Sequence, residues 1–586
     1  MQRDVLKMLA PYLHRYRARL AGGLGILLVN TAVFVLIPFL IKSAIDDLSA
    51  GPTLQKLLKY CLLLILTVSA RAILNYYQRL ILITISRLIE FDLRNDFLAK
   101  IETLSSDFFQ RFRTGDLMAR AVNDMSAVRN MLGPGIMYSA QAVVLFIYVI
   151  TILWHFDPML TLIAFVPAPF VSLAVQWFGK RIHERFERIQ SMFSNLQTRV
   201  EENLSGLRLV RAYAREPEEE AKFDRLNREY VQRNMRLVLL SGAFDPLLQF
   251  LLGVAYVLVL WFGGRAVLEH RITVGGYAAF NLYMAQMAFP MIALGYVINL
   301  VQRGTASLAR LREIMGQEPA IADSAATDRS LRELRGEIEF RDLTFCYGEV
   351  RVLDRLNLRI PAGSTVALVG PTGAGKSTLV GLIPRLLDAP DGMVLVDGRP
   401  IRQIPVALLR RSIGWVPQET FLFSDTLRAN IAFGRPDAAD EQVRAAADTA
   451  GLSRDVADFP EGLDTRVGER GLTLSGGQKQ RTALARAVLR DPRILILDDA
   501  LASVDTITEE AILENLESVA FRTGGRRTTL LISHRISTVR NADFIAVLES
   551  GRIVEQGTHA ELIGLGGAYA GLYEKQLLEE ELARVE

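Results

Sequence analysis

The sequence has few of the features expected of a secreted, disulfide-bonded or nucleic-acid-binding protein. Only two cysteines occur in 586 residues, Cys61 in an apolar stretch and Cys346 far downstream, and such a pair does not make a disulfide framework. The net charge of +3 is too small to indicate nucleic acid as a partner. No small-residue cleavage site follows the basic N-terminus, and no low-complexity tract or short repeat interrupts the chain. We therefore expect an uncleaved N-terminus and a soluble portion suited to a reducing cytosol.

The length and the composition together indicate at least two dissimilar domains. A chain of 586 residues is too long for one hydrophobic core. Half of the residues are hydrophobic, yet 22% are charged. This combination is typical of an apolar membrane region joined to an ordinary soluble domain.

Long apolar runs occupy the first half of the chain. Each is long enough to cross a hydrocarbon core of about 30 Å, which takes about 20 helical residues. The second run contains Arg71 and Arg79, and the fifth contains Asp245, so these charges should face protein or a polar cavity. We expect six membrane-spanning helices, at 20–42, 57–84, 134–156, 159–179, 239–263 and 276–300.

The basic residues predict the orientation of these spans. Segment 180–236 contains thirteen Lys or Arg residues and segment 87–130 contains seven, whereas 45–55 contains none. Because basic loops stay on the cytosolic side, both termini are predicted to be cytosolic. The two basic segments are too long for turns and have helical periodicity, so the spans should continue as helices into the cytosol.

A polar stretch separates the apolar half from a second domain. Residues 316–335 lack a strong hydrophobic period and are interpreted as a linker. We therefore expect a membrane domain over 1–315 and a soluble domain over 336–586. The second domain opens with "GEIEFRDLTFCYG", which alternates like a β-strand.

The motif "GPTGAGKST" indicates a phosphate-binding loop. The apolar run Thr365–Val369 precedes it and "LVGLIPRLL" follows it, which predicts a strand, a glycine loop and a helix. The glycines allow backbone N–H groups to face phosphate oxygens, Lys376 is expected to reach the terminal phosphates, and Ser377 to coordinate Mg²⁺. The predicted nucleotide contacts are Gly370, Pro371, Thr372, Gly373, Ala374, Gly375, Lys376, Ser377 and Thr378.

A second motif, Leu472 to Asp505, places the element "SGGQ" before a helix and a buried strand. Ser475 is expected to hydrogen-bond a phosphate, and the two glycines that follow allow its close approach; the predicted contacts are Ser475, Gly476, Gly477 and Gln478. The strand Ile494–Leu497 ends in Asp498, which suits the water shell of Mg²⁺. A glycine turn alone carries little information, but in combination with the phosphate loop it indicates a specific class of ATPase.

On these two motifs the sequence resembles the ATP-binding cassette (ABC) superfamily, and in particular its exporter-type half-transporters. The resemblance covers essentially the whole chain. It implies a helical membrane domain followed by an α/β ATPase domain with a phosphate-loop core, and ATP and Mg²⁺ as cofactors. It also implies that Tyr347 stacks on adenine, that Gln418 joins Mg²⁺ to the membrane domain and that His534 senses the γ-phosphate. As isolated residues, a tyrosine near a strand is usually packing and a single histidine is usually hydrogen-bonded.

Three further segments match the family pattern. The sequence "RVGER" at Arg466–Arg470 resembles the element that precedes the signature and contacts the cytosolic loops. Segments Phe108–Met125 and Asn203–Glu219 resemble the regions whose short transverse helices transmit movement. A solvated helical face explains the charges of these two segments equally well.

The sequence departs from the family at the catalytic base. In the family, exporters that hydrolyse ATP efficiently usually have Glu directly after the Mg²⁺-associated Asp, whereas this chain has Asp499. A general base must reach its water within about 2.6–3.2 Å, so a carboxylate arm shorter by one methylene should misplace it. Ala502 also stands where the family often has Ser. A harmless variant that still hydrolyses ATP is the alternative.

Because two cassettes are expected to face head to tail, this departure predicts a heterodimeric exporter. The chain would bind ATP and hydrolyse it poorly, while its signature completes a competent site with an unlike half-transporter. The alternatives are a homodimeric lipid flippase or drug exporter that tolerates Asp499, and an ATP-gated channel or regulatory subunit. A soluble repair or translation ATPase is excluded by the six spans.

The substrate is predicted only as a class: a small amphipathic compound, a lipid or a peptide. Polar residues within the spans are compatible with a cavity, but hydrogen bonding between helices is their commoner explanation. We expect a multi-pass protein in contact with membrane lipids, placed in a bacterial inner membrane with its ATPase domain in the cytoplasm.

Overall fold

A computed structural model of the chain describes residues 7–468, 474–522 and 526–585. The described residues fall into two compact units. The first contains the residues up to Ile101 and Gly115–Gly316, and the second contains Glu102–Thr114 and the residues from Gln317 onward. The first unit is helical, and the second combines two sheets with short helices.

The helical unit consists of long helices with two π-helical turns, Arg120–Asp124 and Met131–Gly135. Helix Leu54–Thr103 has 50 residues and would be about 75 Å long at 1.5 Å per residue, more than twice the hydrocarbon thickness. The predicted continuation of the spans beyond the bilayer is therefore present. The helices between residues 10 and 315 are Ala10–Arg15, Arg17–Ser49, Leu54–Thr103, Ser106–Arg111, Thr114–Ala119, Met125–Asn130, Ile136–Phe156, Pro158–Ala164, Ala168–Ser205, Leu207–Ala212, Glu216–Leu268, Val274–Gln286 and Ala288–Met315.

Within the described ranges, five helical stretches are long and apolar enough to cross a membrane. They contain the first five predicted spans, and they are Arg17–Ser49, Leu54–Thr103, Thr114–Phe156, Pro158–Ser205 and Glu216–Leu268. The sixth predicted span, 276–300, instead coincides with two shorter helices that meet at Met287. Proline lacks a backbone N–H and clashes with the carbonyl four residues earlier, and Pro290 stands four residues after Gln286, where the first helix ends. The total of six spans stays a prediction.

Neighbouring helices of this unit are joined by polar contacts. Asn30 Nδ2 donates to Gln78 Oε1 at 2.6 Å, and both side chains are buried. The guanidinium carbon of Arg71 lies 3.7 Å from the centroid of the Phe34 ring, so this in-span arginine packs against protein. Near the ends of two helices, Asp46 accepts hydrogen bonds from the Thr273 hydroxyl and the Gly275 N–H group.

The second unit contains two sheets. The strands are β1 Ile338–Tyr347, β2 Val350–Ile360, β3 Thr365–Val369, β4 Val394–Val396, β5 Arg399–Pro400, β6 Ile413–Val416, β7 Ile494–Asp498, β8 Thr528–Ile532, β9 Phe544–Glu549 and β10 Arg552–Gly557. The first sheet is antiparallel with the order β2-β1-β4-β5. The second has the order β10-β9-β3-β8-β7-β6 and is parallel from β9 to β6. The strands predicted at Thr365–Val369 and Ile494–Leu497 are present, the second with one extra residue.

The central strands are buried on both faces, because helices cover one side of the parallel sheet and the antiparallel sheet with helix Lys376–Leu382 covers the other. Along β3, Ala367 and Val369 contribute to one hydrophobic core, whereas Val366 and Leu368 contribute to the other. A continuous apolar run is typical of a parallel strand in this position. The α-helices of this unit, besides Ser106–Arg111, are Lys376–Leu382, Val406–Arg411, Leu427–Ala432, Asp440–Thr449, Ser453–Asp458, Gly476–Leu489, Thr506–Arg522, Ile536–Val539, His559–Leu565 and Ala568–Val585.

Candidate nucleotide-binding site

The parallel sheet brings most of the predicted site residues to one edge. The carboxyl ends of β3, β8, β7 and β6, which are adjacent in that order, lead into Gly370, Ser533, Asp499 and Pro417 respectively. Parallel strands place their carboxyl ends at the same edge of a sheet, and ligands of open α/β folds bind there. Four segments that are far apart in sequence are therefore neighbours.

The glycine loop has the backbone conformation that its glycines predict. Gly370 and Gly375 have φ angles of 148° and 103°, which side chains rarely allow. A Cβ atom on Gly370 would lie 2.0 Å from the carbonyl oxygen of Leu548, and one on Gly375 would lie 2.9 Å from Leu353 Cδ2. Glycine is thus required both for the turn and for the packing of the loop against neighbouring strands.

Lys376 is folded back into the loop that precedes it. Its side-chain nitrogen donates to the carbonyl oxygens of Gly370 at 2.7 Å and Pro371 at 2.9 Å, and the residue is only 7% exposed. Burial lowers the pKa of the ammonium group, while attraction to Asp498 and Asp499 opposes this shift. The loop therefore holds a cation at the position where the sequence predicts terminal phosphates.

Ser377 and Asp498 form a pair of oxygen ligands suited to a hard cation. The Ser377 hydroxyl donates to Asp498 Oδ1 at 3.1 Å. Burial raises the pKa of the Asp498 carboxyl group, and the charge of Asp499 acts in the same direction. No group of three or more His, Cys, Asp or Glu side chains suited to a metal occurs in the described part of the chain. A hydroxyl, one carboxylate and phosphate oxygens are the ligands that Mg²⁺ uses in such sites, so these residues fit it.

Asp499 begins a tight loop after β7. Its φ angle is 49°, an uncommon left-handed conformation that Asp tolerates better than most residues. Its backbone N–H donates to the carbonyl oxygen of Ile532 at 3.0 Å, which joins the loop to the end of β8. His534 follows that strand end, is exposed and lines a small cavity together with Gly370 and Ser533. The structure thus brings the predicted residues on β3, β7 and β8 together.

Gln418 and Tyr347 lie at the periphery of this group. Gln418 is exposed, two residues beyond β6, which pairs in parallel with β7. Tyr347 ends β1, is 38% exposed and packs edge-to-face on Phe345. The hairpin of β1 and β2 borders the glycine loop, because a Cβ atom on Gly375 would lie 3.3 Å from Val352 Cγ1. The roles of both side chains stay predictions.

The signature element caps a helix. Ser475 is the N-cap of Gly476–Leu489, and its hydroxyl accepts from the Gln478 N–H group at 3.2 Å while its own N–H donates to Gln478 Oε1 at 2.9 Å. This reciprocal capping box fixes the start of the helix where the sequence predicts it. Leu472 and Thr473 of the motif, and the last two residues of "RVGER", lie outside the described residues.

Sequence reasoning missed Asp455, a residue that holds the signature helix. Its carboxylate accepts from Gln478 Nε2 at 3.0 Å and from Arg481 Nη2 at 2.7 Å. The two contacts span 23 and 26 residues of sequence, and Asp455 itself lies outside every motif identified above. No periodicity or spacing in the sequence indicates it.

Two other residues that the sequence reasoning missed hold the loop after β7. Gln480 of the signature helix contacts the loop from one side. From the other side, Arg535 donates to the carbonyl oxygens of Ala502 at 2.9 Å and Val504 at 2.8 Å. Gln480 has a sequence signal, because it stands three and four residues before the buried Ala483 and Leu484, on the apolar face of the helix.

Short helices are present in both segments predicted to transmit movement. They include Ser106–Arg111, which begins two residues before the first segment and clusters with the second unit, and Thr114–Ala119, and in the second segment Leu207–Ala212. In the first, the ring of Phe108 is buried and stacks on Phe112 with centroids 4.6 Å apart. Transmission of movement by these helices stays a prediction.

Comparisons with known proteins agree with the motifs. Residues 20–291 match the family "ABC transporter transmembrane region", and residues 353–502 match the family "ABC transporter". The chain is 37% identical over 579 residues to the "Probable multidrug resistance ABC transporter ATP-binding/permease protein YheI" of Bacillus subtilis, covering 98% of each chain. It is 34% identical to an "ATP-dependent lipid A-core flippase" of Syntrophus aciditrophicus, covering 99% of this chain and 96% of the relative. The structure of a bacterial Atm1-family ABC exporter with ATP bound superposes with a TM-score of 0.79 at 29% identity, covering 96% of this chain and 98% of that one.

Proposed function

The chain belongs to the ABC exporter family, and from that premise we propose that it is one half of a dimer that exports amphipathic or hydrophobic compounds. It is a multi-pass membrane protein whose ATPase domain lies in the cytoplasm. Hydrolysis of ATP by this domain drives the transport. A bacterial inner membrane is the proposed location, because the relatives named above are bacterial.

The observation that carries the nucleotide site is the placement of Lys376, Ser377 and Asp498 at one sheet edge. In the proposed site, Lys376 exchanges its two carbonyl contacts for phosphate oxygens. Ser377 and Asp498 would hold Mg²⁺, which neutralises the phosphate charge that develops during phosphoryl transfer. Gln418 would be a further Mg²⁺ residue that joins the metal to the membrane domain, His534 would sense the γ-phosphate, and Tyr347 would stack on the adenine.

Asp499 is proposed to make this site a weak one. A general base must lie within hydrogen-bond reach of the attacking water, and a working base contributes about 10² to 10⁴ in rate. Asp is one methylene shorter than the family's Glu. The backbone N–H of Asp499 donates to the carbonyl oxygen of Ile532 at the end of β8. A movement of the loop that brought the shorter carboxylate to the attacking water would break this hydrogen bond between β7 and β8.

The signature helix is proposed to serve a second nucleotide. In a head-to-tail dimer, Ser475 and the glycines after it face the ATP held by the partner's phosphate loop. The capping box supports this role, because it presents the Ser475 hydroxyl and the first N–H groups of a 14-residue helix in one direction. The signature residues Ser475 to Gln478 all match the family pattern. The nucleotide site that they would form with the partner's phosphate loop is therefore proposed to be the competent one.

These two assignments favour an unlike partner. A homodimer would contain Asp499 in both sites, whereas a partner with Glu at that position leaves one efficient site. Drugs, lipids and peptides are the proposed substrate classes, and the relatives include one named for multidrug resistance and one named for lipid A-core.

Purification of the tagged chain from its native membrane tests the proposed partner. We expect a second half-transporter with Glu at the position of Asp499 in equal amount. Recovery of this chain alone as a dimer would contradict the heterodimer. Inside-out vesicles that contain the purified complex then test the export activity, because only a pump accumulates substrate against a gradient when ATP is added.

A further inference from the structure

One side chain of the signature helix is hydrogen-bonded to both ends of the loop that begins at Asp499. Gln480 Oε1 accepts from the Ser503 N–H group at 2.9 Å, and Gln480 Nε2 lies 3.4 Å from the carbonyl oxygen of Asp499. The amide group therefore bridges the first and the fifth residue of the loop. The two contacts span 19 and 23 residues of sequence. They join the signature helix, which is proposed to serve the partner's nucleotide, to the loop of Asp499, which is proposed to serve this chain's own nucleotide.

Gln480 occupies a position that otherwise favours an apolar residue. It is 7% exposed, and the buried positions that follow on the helix are mostly Ala, Leu and Val. Transfer of an amide into such surroundings is unfavourable unless its polar atoms are paired. Since both ends of this amide meet the loop, the contact itself accounts for a glutamine at this position.

The loop also packs directly against the start of the same helix. A Cβ atom on Gly477 would lie 2.9 Å from the carbonyl oxygen of Ser503, and one on Gly476 would lie 3.3 Å from Ser503 Cβ. Arg535 holds the opposite side of the loop through the carbonyl groups of Ala502 and Val504. The loop thus has little freedom to move unless the signature helix moves with it.

We propose that Gln480 is a positioning residue that makes the signature helix and the Asp499 loop move as one body. The inference rests on the proposed head-to-tail dimer, in which Ser475 faces one ATP and Asp499 faces the other. Gln480 lies five positions after Ser475, a rise of about 7.5 Å along the helix. A displacement of the helix when Ser475 engages the partner's nucleotide is therefore carried to the backbone of Asp499, and turnover requires both nucleotides.

The test is the ATP dependence of hydrolysis by the purified dimer in lipid nanodiscs. Gln480→Met preserves the volume of the side chain but removes both hydrogen bonds. Gln480→Glu keeps the acceptor for Ser503 N–H and loses the donor when it is ionised. Thr482→Val is the matched control, because Thr482 is fully buried in the same helix and, among the described residues, its hydroxyl donates to the carbonyl oxygen of Gln478 in that helix.

We expect a sigmoidal ATP dependence for the wild-type dimer and for Thr482→Val. Both Gln480 variants should give a curve closer to hyperbolic, with kcat lowered about tenfold or more and KM changed far less. Coupling between two sites is reciprocal, so without the bridge the nucleotide beside Asp499 no longer helps to hold Ser475 in place at the competent site, and such misplacement costs rate rather than binding. A hyperbolic wild-type curve, Gln480 variants that match the wild type, or a Thr482→Val variant that is equally impaired would each overturn the inference. Absence of hydrolysis in the wild-type dimer would instead contradict the proposed function and remove the basis of the inference.

Discussion

The hydroxyl group of Ser377 lies 3.1 Å from Asp498 Oδ1, although 121 residues separate the two in sequence. Ser377 is on the helix after β3, and Asp498 is the last residue of β7. The strand between them, β8, places both at the carboxyl edge of the sheet. This pair forms the oxygen-ligand side of the proposed Mg²⁺ site.

Ser377→Ala should weaken nucleotide binding at this chain's own site only when Mg²⁺ is present. The substitution removes a ligand for the metal but leaves Lys376 and the glycine loop intact. Photolabelling of this chain by an azido-ATP, with Mg²⁺ and with EDTA, measures the difference. Ser364→Ala is the control, because the Ser364 hydroxyl donates to the carbonyl oxygen of Pro361 within the turn before β3. Equal loss of labelling under both conditions would assign Ser377 to the phosphates instead.

Asp455→Ala should destabilise the protein and lower its ATPase rate. Hydrogen bonds to a charged group contribute about 1.5–3 kcal/mol, and Asp455 accepts two of them from the signature helix. The free energy of unfolding of the ATPase domain should fall by an amount in that range, because Gln478 and Arg481 both lose their partner. Exposed Asp458 on the same short helix is the matched control, and Asp458→Ala should change stability by less than about 0.5 kcal/mol. Equal behaviour of the two variants in a thermal melt would refute the assigned role.

Gly275→Ala should lower the thermal stability of the membrane domain. A Cβ atom at this position would lie 2.4 Å from the carbonyl oxygen of Lys42 and 2.6 Å from Asp46 Oδ1. Such overpacking costs about 1–3 kcal/mol, because two helices must separate to admit the methyl group. Gly264→Ala provides the control, since a Cβ atom there has no neighbour within 4 Å. A melting temperature of Gly275→Ala equal to that of the control would show that the helices separate without cost.

The sequence predicted those parts of the fold and site that depend on local patterns. The strand Thr365–Val369 has the predicted bounds because a short apolar run between turn residues is a local signal. The start of the signature helix follows from the capping box formed by Ser475 and Gln478. The long helical continuations beyond the spans follow from helical periodicity and from segments that are too long for turns.

Other features depend on contacts that no local pattern records. The apolar run predicts one continuous span over 276–300, whereas Pro290 favours a break in the helix. The structure has two helices that meet at Met287. Arg535 appears in sequence as an ordinary basic residue beside His534, and only the fold places its guanidinium group on the carbonyl groups of Ala502 and Val504. Asp455 is similarly indistinguishable in sequence from its exposed neighbour Asp458.

The central claim is that ATP turns over mainly at the site completed by this chain's signature and not at the site that contains Asp499. Steady-state hydrolysis by the purified native complex, compared between Asp499→Asn and Ser475→Ala, tests it most directly. We predict a modest change for Asp499→Asn, because a carboxylate that does not reach the water contributes little. Ser475→Ala should reduce turnover strongly, as should Gln in place of the partner's catalytic Glu, since a working base contributes about 10² to 10⁴ in rate. Loss of hydrolysis in Asp499→Asn together with near-normal hydrolysis in Ser475→Ala would contradict the account.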